Sequence, residues 1–469
     1  MLKLLAALCL LLMPIPAAAL PPNIILVLVD DMSMNLMPGP DKPAGYMPNL
    51  AQLQADGMTF TSYIASNSLC CPSRASTFTG LLPHNTGVLS NNAPSGGYAS
   101  FVAHGDEAKS FALSLQAAGY KTGFFGKYLN GYELTNPIPP GWNKWVSSDH
   151  AYAAYGYSLN NQGVVTMPAD HFTDAISGLA RPWMTTSRQP FFVELAPFSP
   201  HSPYVPATRH AGLYLDAILP KTPAFGATPD AAAPLWLREI DKMGPQPLAG
   251  MQANYVLRLQ AMASIDEMLG AVRARLVAQG MAANTYVIFT SDNGLHMGEW
   301  NMRPGKMTPF DFDARAPLVI VGPGIAPGST SDAIVQNIDL GPTFVQLATG
   351  APMVADGRPI TPLFTGGAWS RRVAVVEHFQ EVMDPSDPDY TAPKAGDPPS
   401  YTAMRAKNWL YVTYATGEVG YYDMTTDPYQ MANVAAALSP QRASALATNA
   451  AALGICTGNC GSLQDQPVN

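Results

Sequence analysis

Cys70-Cys71-Pro72-Ser73-Arg74 stands directly before a short run, Ala75 to Thr79, that closes on Gly80. The proline falls where a first helical residue belongs and the glycine where a helix stops, so Cys70 is placed at a helix N-terminus. That end carries partial positive charge and free N–H groups, which would activate a nucleophile and hold an anion, with Arg74 adding a fixed charge one turn further in. Taken alone, the segment also reads as two buried structural cysteines before an ordinary helix. A second feature is a pair of doublets, Asp30-Asp31 and Asp292-Asn293. Three carboxylates and an amide are hard oxygen donors, a ligand set for Ca²⁺ or Mg²⁺ and not for zinc. Either doublet by itself reads as a cap or a turn. Together, at the ends of two strands, they favour a metal site.

The elements that would position these residues are strands alternating with helical patterns. Ile24 to Val29, Thr122 to Phe125, Phe191 to Leu195, Tyr286 to Thr290 and Pro317 to Val321 are short apolar or β-branched runs, each followed by turn residues. This is the pattern of an α/β fold with a large, mostly parallel sheet covered by helices on both faces. Ligands in such sheets bind beyond the carboxyl ends of the strands. Asp30 and Asp31, Lys127, His201, and Asp292 with Asn293 all fall there. Met262, Ile265, Leu269, Val272 and Leu276 form one helical stripe ended by Gly280, read as core packing. Pro197 to Pro206 and Pro385 to Pro399 read as long ordered loops. After about residue 370 the texture changes to closely spaced strands, Arg372 to Val376, Tyr401 to Arg405, Trp409 to Tyr414 and Gly420 to Tyr422, then an Ala-rich helix from about Ser439. The expected organisation is a segment 1–19 for export, a main domain 20–370 and a smaller antiparallel α+β domain 371–469.

Composition bounds the function. Of 469 residues, 47% are apolar and 13% charged, which excludes a disordered or coiled-coil chain. The formal net charge of −8, without a basic run, argues against nucleic acid as a partner. Lys3, the apolar run Leu4 to Met13 and the small residues Ala17 to Ala19 have the layout of a cleaved secretory signal, and no other segment is long and apolar enough for a stable membrane span. The expected location is therefore periplasmic or secreted. Of the five cysteines, Cys9 lies in the signal. Cys456 and Cys460 read as a small disulfide-closed loop, with a metal pair as the alternative, which leaves Cys70 and Cys71 as free thiols in an oxidising compartment.

These residues resemble the sulfatases of the alkaline phosphatase superfamily. Cys70-x-Pro72-x-Arg74 with Thr79-Gly80 matches the signature whose first cysteine is oxidised to Cα-formylglycine, and Gly119-Tyr120-x-Thr122 with Gly126-Lys127-Tyr128-Leu129-Asn130-Gly131 resembles the second signature. Asn23 to Asp31, Ser291-Asp292-Asn293-Gly294 with Gly305-Lys306, Arg315-x-Pro317 to Pro323-Gly324, and in the small domain Tyr421-Tyr422-Asp423 with Thr426-Asp427-Pro428 extend the likeness from about residue 22 to the tail. The double cysteine and Lys-Tyr-Leu-Asn are most similar to the branch of N-acetylglucosamine-6-sulfatases and heparan endosulfatases.

The resemblance implies an alkaline phosphatase-like fold and a calcium ion, with Mg²⁺ as the alternative, held by Asp30, Asp31, Asp292, Asn293 and the modified Cys70. It implies a maturating, formylglycine-generating enzyme as a partner and a sulfated small molecule or carbohydrate as substrate. Arg74, Lys127 and Lys306 would surround the sulfate, whose charge must be neutralised before an oxygen nucleophile approaches sulfur. The implied hydrate at Cys70 attacks sulfur, releases the alcohol, and expels sulfate as its second hydroxyl loses a proton. His201, in Pro200-His201-x-Pro203, would protonate or hydrogen-bond the leaving oxygen. One position departs from the pattern: Leu129 stands where many arylsulfatases carry a histidine that deprotonates the hydrate. Asn130 and His296 are candidates near that role, and His84 reads as structural. Two other functions compete: a phosphonate monoesterase or phosphodiesterase using the same site, and a non-catalytic binding protein with unmodified Cys70. Trp142, Trp145, Trp300 and Tyr132 could stack on sugars, but packing is the simpler reading. Glu377 and His378 are placed near the pocket without a role.

Overall fold

The five apolar runs form strands because each buries both of its faces. Side chains of Asn23–Val29 alternate between two cores, with Ile25, Val27 and Val29 in one and Ile24, Leu26 and Leu28 in the other. The computed structural model describes residues 21–186, 189–381, 385, 387–392 and 394–468, so the expected export segment 1–19, with Cys9, lies outside the described residues. Asn23–Val29 pairs in parallel with Thr285–Ser291 on one side and Phe191–Ala196 on the other, and the parallel run continues through Lys121–Gly126 to Lys144–Ser147.

The full sheet has ten strands in the order Ser329–Ser331, Met58–Phe60, Leu318–Val321, Thr285–Ser291, Asn23–Val29, Phe191–Ala196, Lys121–Gly126, Lys144–Ser147, Leu159–Asn161, Val164–Thr166. The flanks mix antiparallel pairs with one parallel pair, Ser329–Ser331 on Met58–Phe60. Leu318–Val321 runs against both of its neighbours, Thr285–Ser291 and Met58–Phe60. Between residues 291 and 318 the only helix is the four-residue Asp311–Ala314, too short for the crossover that a parallel return requires.

One face of the sheet is covered by Pro48–Asp56, Phe172–Trp183 and the long Pro245–Ala278 helix, which carries the expected stripe from Met262 to Leu276, all buried. The other is covered by Cys70–Thr79, Phe111–Ala117 and Leu340–Thr349. Trp142, Trp145 and Tyr132 lie inside an aromatic cluster with Phe78, Phe124 and Tyr128, and Trp300 is buried against Phe310. All four are packing residues.

A separate antiparallel sheet follows, Val373–His378, Tyr401–Ala406, Trp409–Tyr414 and Val419–Asp423, with Pro440–Leu453 packed on it. Ser439 caps that helix by accepting from the Arg442 N–H. Cys456 and Cys460 are disulfide-bonded. Polar contacts that join the small sheet to the main body include a buried ion pair between Arg371 and Asp339, Arg405 Nε at 2.7 Å from Asp311 Oδ1, and His84 Nδ1 at 2.7 Å from Glu377 Oε1. His84 therefore has the structural role expected of it. Among the described residues no helix is long and apolar enough to cross a membrane.

Candidate active site

The site lies at the carboxyl ends of the central parallel strands. Asp30 and Asp31 leave the Asn23–Val29 strand, and Asp292 and Asn293 leave its neighbour Thr285–Ser291. The two turns interlock: Asp292 Oδ1 accepts from the backbone N–H of Asp31 at 3.1 Å and from that of Asn293 at 2.9 Å. Asp31 adopts a left-handed backbone (φ 62°), a conformation costly for a residue with a side chain and retained where the surroundings enforce it. Arg258, buried on the Pro245–Ala278 helix, supplies part of that enforcement by donating to the Asp31 carbonyl at 2.6 Å. Cys70 is the first residue of the Cys70–Thr79 helix, which ends on Gly80 in a left-handed conformation (φ 71°). Pro72 is the third helical residue, not the first as its position before the run had implied, because the helix begins two residues earlier.

Around Cys70 the side chains form one buried network. Its Sγ lies 3.2 Å from Asp30 Oδ1, 3.9 Å from Asp31 Oδ1 and 2.8 Å from Lys306 Nζ. Lys127 Nζ donates to Asp30 Oδ2 at 2.7 Å, and Lys306 Nζ to Asp31 Oδ1 at 2.8 Å. Arg74 Nε donates to Asp292 Oδ2 at 2.8 Å, and its Nη1 to the Lys127 carbonyl at 2.9 Å. His201 Nε2 approaches Asp31 Oδ2 at 3.5 Å while its Nδ1 lies 2.7 Å from the Ser202 carbonyl. All nine residues expected from sequence are thus buried at one locus. Asp30, Asp31, Cys70 and His201 bring one ligand atom each within 4.8 Å of the others.

The electrostatics follow from burial and pairing. Burial pushes the Asp30 carboxyl up, but Lys127, His201, Arg74 and Lys306 together outweigh it and hold the group well below the usual carboxylate range. Burial lowers Lys306, yet Asp31, Asp389 and Cys70 keep it charged above its ordinary value; Lys127 is held up in the same way by Asp30 and Cys70. His201 is raised because Asp31, Asp30 and Asp389 overcome its desolvation. The Cys70 thiol is pushed up by burial and by Asp30, so as an ordinary cysteine it is protonated and a poor nucleophile.

A hard divalent cation fits this donor set. Asp30 and Asp31 belong to the four-residue cluster, and Asn293 donates its Nδ2 to Asp31 Oδ1 at 2.7 Å while its buried Oδ1 has no protein partner. An unpaired buried amide oxygen beside carboxylates could serve as a ligand to such a cation. Asp292 has both oxygens engaged, by the Asp31 and Asn293 N–H groups and by Arg74, and stands outside the four-residue cluster.

Two participants carried no sequence signal. Asp389, inside the Pro-rich 385–399 stretch, places Oδ1 at 2.8 Å from Lys306 Nζ and 3.0 Å from His201 Nε2. Asn91 donates to its Oδ2 at 2.6 Å and accepts from the Cys71 N–H at 2.9 Å. Neither sits at a strand end or in a periodic pattern, the two signals available. His296 contacts Asp313 instead of the cluster, at 2.9 Å, and its backbone pairs with Gly305, which seats Lys306. Leu129 is buried in the core, and the Oδ1 of Asn130 has no protein partner. His378 is buried in its strand against Tyr401.

An α/β sheet of this order, with a free cysteine on a helix N-terminus amid three cations and three aspartates, defines a hydrolase of the alkaline phosphatase-like class. Comparison gives the family. Residues 22–351 match the sulfatase model, and residues 298–448 match the model of the N-sulphoglucosamine sulphohydrolase C-terminal region. The chain belongs to the sulfatase family, whose members are sulfuric ester hydrolases. It is 34% identical over 374 residues to an extracellular sulfatase SULF-1 homolog of Drosophila melanogaster, covering 77% of this chain but 32% of that protein. It is 29% identical to the N-acetylglucosamine-6-sulfatase of Homo sapiens over 90% of this chain and 82% of that one. A solved structure in complex with its substrate D-glucosamine-2-N,6-O-disulfate superposes with a TM-score of 0.75 at 23% identity, covering 88% of this chain and 93% of that one. A phosphonate monoester hydrolase from Silicibacter pomeroyi superposes with a TM-score of 0.68 at 22% identity, over 91% and 93%. At these identities the two structures establish the shared fold.

Proposed function

We propose that this protein is an exported sulfatase that hydrolyses sulfate monoesters on carbohydrates, using Cys70 after its conversion to formylglycine by a maturating enzyme. The observation that carries the reading is the set of contacts around Cys70: a buried sulfur in reach of Asp30, Asp31 and Lys306 at the positive end of a helix. Formylglycine would supply there a hydrated aldehyde with two hydroxyls, one to attack sulfur and one to permit release of sulfate. Asp30, Asp31, Asp292 and Asn293 would hold a divalent cation, Ca²⁺ first, which would lower the pKa of that hydroxyl and draw the sulfate oxygens.

The chain's own residues account for the rest. Arg74 is fixed by Asp292 and by the Lys127 carbonyl, so its charge faces the site without reorganising. Lys127 and Lys306, buried and charged, stabilise an anion far more than surface lysines would. Asp30, Asp31, Asp292 and Asp389 outnumber the three permanent cations by one charge, so an added divalent cation turns the site net positive and ready for a monoanionic ester. His201 is oriented by the Ser202 carbonyl, and its neighbouring aspartates raise its pKa against desolvation, which suits it to hold or deliver a proton at the leaving oxygen. The sugar preference and the extracellular destination are supported by the relatives' names and by the expected signal at residues 1–19.

Turnover of an aryl sulfate compared with aryl phosphate mono- and diesters tests the reaction class. Sulfate ester cleavage is the expected outcome, and preferential diester cleavage would assign the site to phosphonate or phosphodiester hydrolysis. Peptide mass spectrometry of protein from its native host should find Cys70 converted. An intact thiol with no esterase activity would mean a binding protein instead. A panel of sulfated monosaccharides and oligosaccharides identifies the substrate.

A further inference from the structure

The Lys306 ammonium donates to Asp31 Oδ1 and to Cys70 Sγ and forms an ion pair with Asp389 Oδ1, each at 2.8 Å. His201 is likewise engaged, with Nδ1 on the Ser202 carbonyl and Nε2 at 3.0 Å from the same Asp389 oxygen. One carboxylate oxygen of Asp389 therefore bridges the two groups assigned above to the sulfate and to the leaving oxygen. The other oxygen is held by Asn91, which is itself anchored on the Cys71 N–H at the start of the nucleophile helix. The Asp389 side chain is 4% exposed, so it has no bulk water to fall back on.

From this bridging geometry we propose that Asp389 is a specificity-determining residue, selecting sulfate esters that carry a hydrogen-bond donor, a hydroxyl or an ammonium, beside the ester. When a sulfate oxygen takes up Lys306 and the ester oxygen takes up His201, Asp389 keeps Asn91 and loses its contacts with Lys306 and His201. A buried carboxylate left short of donors is penalised heavily. A sugar hydroxyl or amine next to the sulfated carbon restores a donor; an aryl sulfate offers none. Sites built around a buried polar group reject analogues that leave it unpaired, which gives larger discrimination than apolar contacts do.

This inference rests on the sulfatase reading proposed above, and the test separates the two. The measurement is kcat/KM for a hexosamine sulfate with a free hydroxyl or amine on the carbon next to the sulfated one, and for a nitrophenyl sulfate, in the mature enzyme and in Asp389→Asn. The substitution should lower kcat/KM for the sugar ester by about ten- to hundredfold, the worth of a charged hydrogen bond, and raise it for the aryl ester, since no bare carboxylate is then left behind. Asp389→Ala should move the selectivity ratio the same way, with melting temperatures confirming that both variants fold. Equal changes for the two esters, or an unaffected sugar ester, would overturn the assignment while leaving the sulfatase reading intact. A parent enzyme that cleaves neither ester would remove both.

Discussion

Glu194 gives the sharpest test of how this sheet tolerates charge. It sits mid-strand in Phe191–Ala196, fully buried, with Leu26 and Phe124 as its cross-strand partners. Neither carboxylate oxygen has a hydrogen-bond partner among the described protein groups, and burial lifts its pKa from 4.5 to about 8 against the pull of Arg74. The folded protein thus keeps this proton while the unfolded chain releases it, so stability falls as pH rises from about 4.5 and levels off above about 8. At about 1.4 kcal/mol per pH unit, the penalty is at most about 5 kcal/mol at pH 9 and under about 1 kcal/mol at pH 5. Glu194→Gln replaces the acid by a neutral group of the same shape. Urea unfolding of both proteins should show near equality at pH 5 and a clear gain for Glu194→Gln at pH 9. All other titrating groups are common to the pair and cancel in the difference. A difference that is the same at both pH values would refute the argument, because it would mean the carboxyl is ionised in the fold or paired by groups that satisfy it.

The Arg371–Asp339 pair is wholly buried, so Arg371→Met should cost about 3 to 5 kcal/mol by stranding the aspartate, and Arg371→Met with Asp339→Asn should recover part of it in denaturant titrations. Replacing both Cys456 and Cys460 by serine opens a loop of sequence separation 4; the short closure limits the loss to about 2 kcal/mol, read as a lower melting temperature that matches reduction of the parent. Stripping divalent ions with a chelator should abolish ester cleavage and lower the melting temperature, and Ca²⁺ at a hundred times its Kd should return about 2.7 kcal/mol of stability. An unchanged melt would reject the Asp30, Asp31, Asp292 and Asn293 site.

Much of the main sheet was legible because its central strands are continuous apolar runs, and Ile24 to Val29 needs no partner in view to be read as buried on both faces. The short flanking strands Met58–Phe60, Leu159–Asn161 and Val164–Thr166 were not, since three residues carry no periodicity. The reversed direction of Leu318–Val321 depends on the absence of a crossover helix, a fact about chain path and not about that strand's own residues. In the site, the acidic doublets and Lys127 announced themselves through residue type and placement at strand ends, Cys70 and Arg74 through a helix start, and Lys306 only through the resemblance to the sulfatases. The way they pair, Lys127 to Asp30, Lys306 to Asp31 and Arg74 to Asp292, did not.

The sequence by itself determined the reactive groups of this protein, because an uncommon residue at a helix start or a strand end is a local property that needs no neighbour to be recognised. Only the tertiary structure decided which carboxylate faces which cation, that His296 supports Asp313 and the Gly305 turn, and that Asp389 reaches His201 and Lys306 from a loop far along the chain. Such contacts join residues separated by tens to hundreds of positions, and their geometry is set by how the layers pack, which no window of sequence contains.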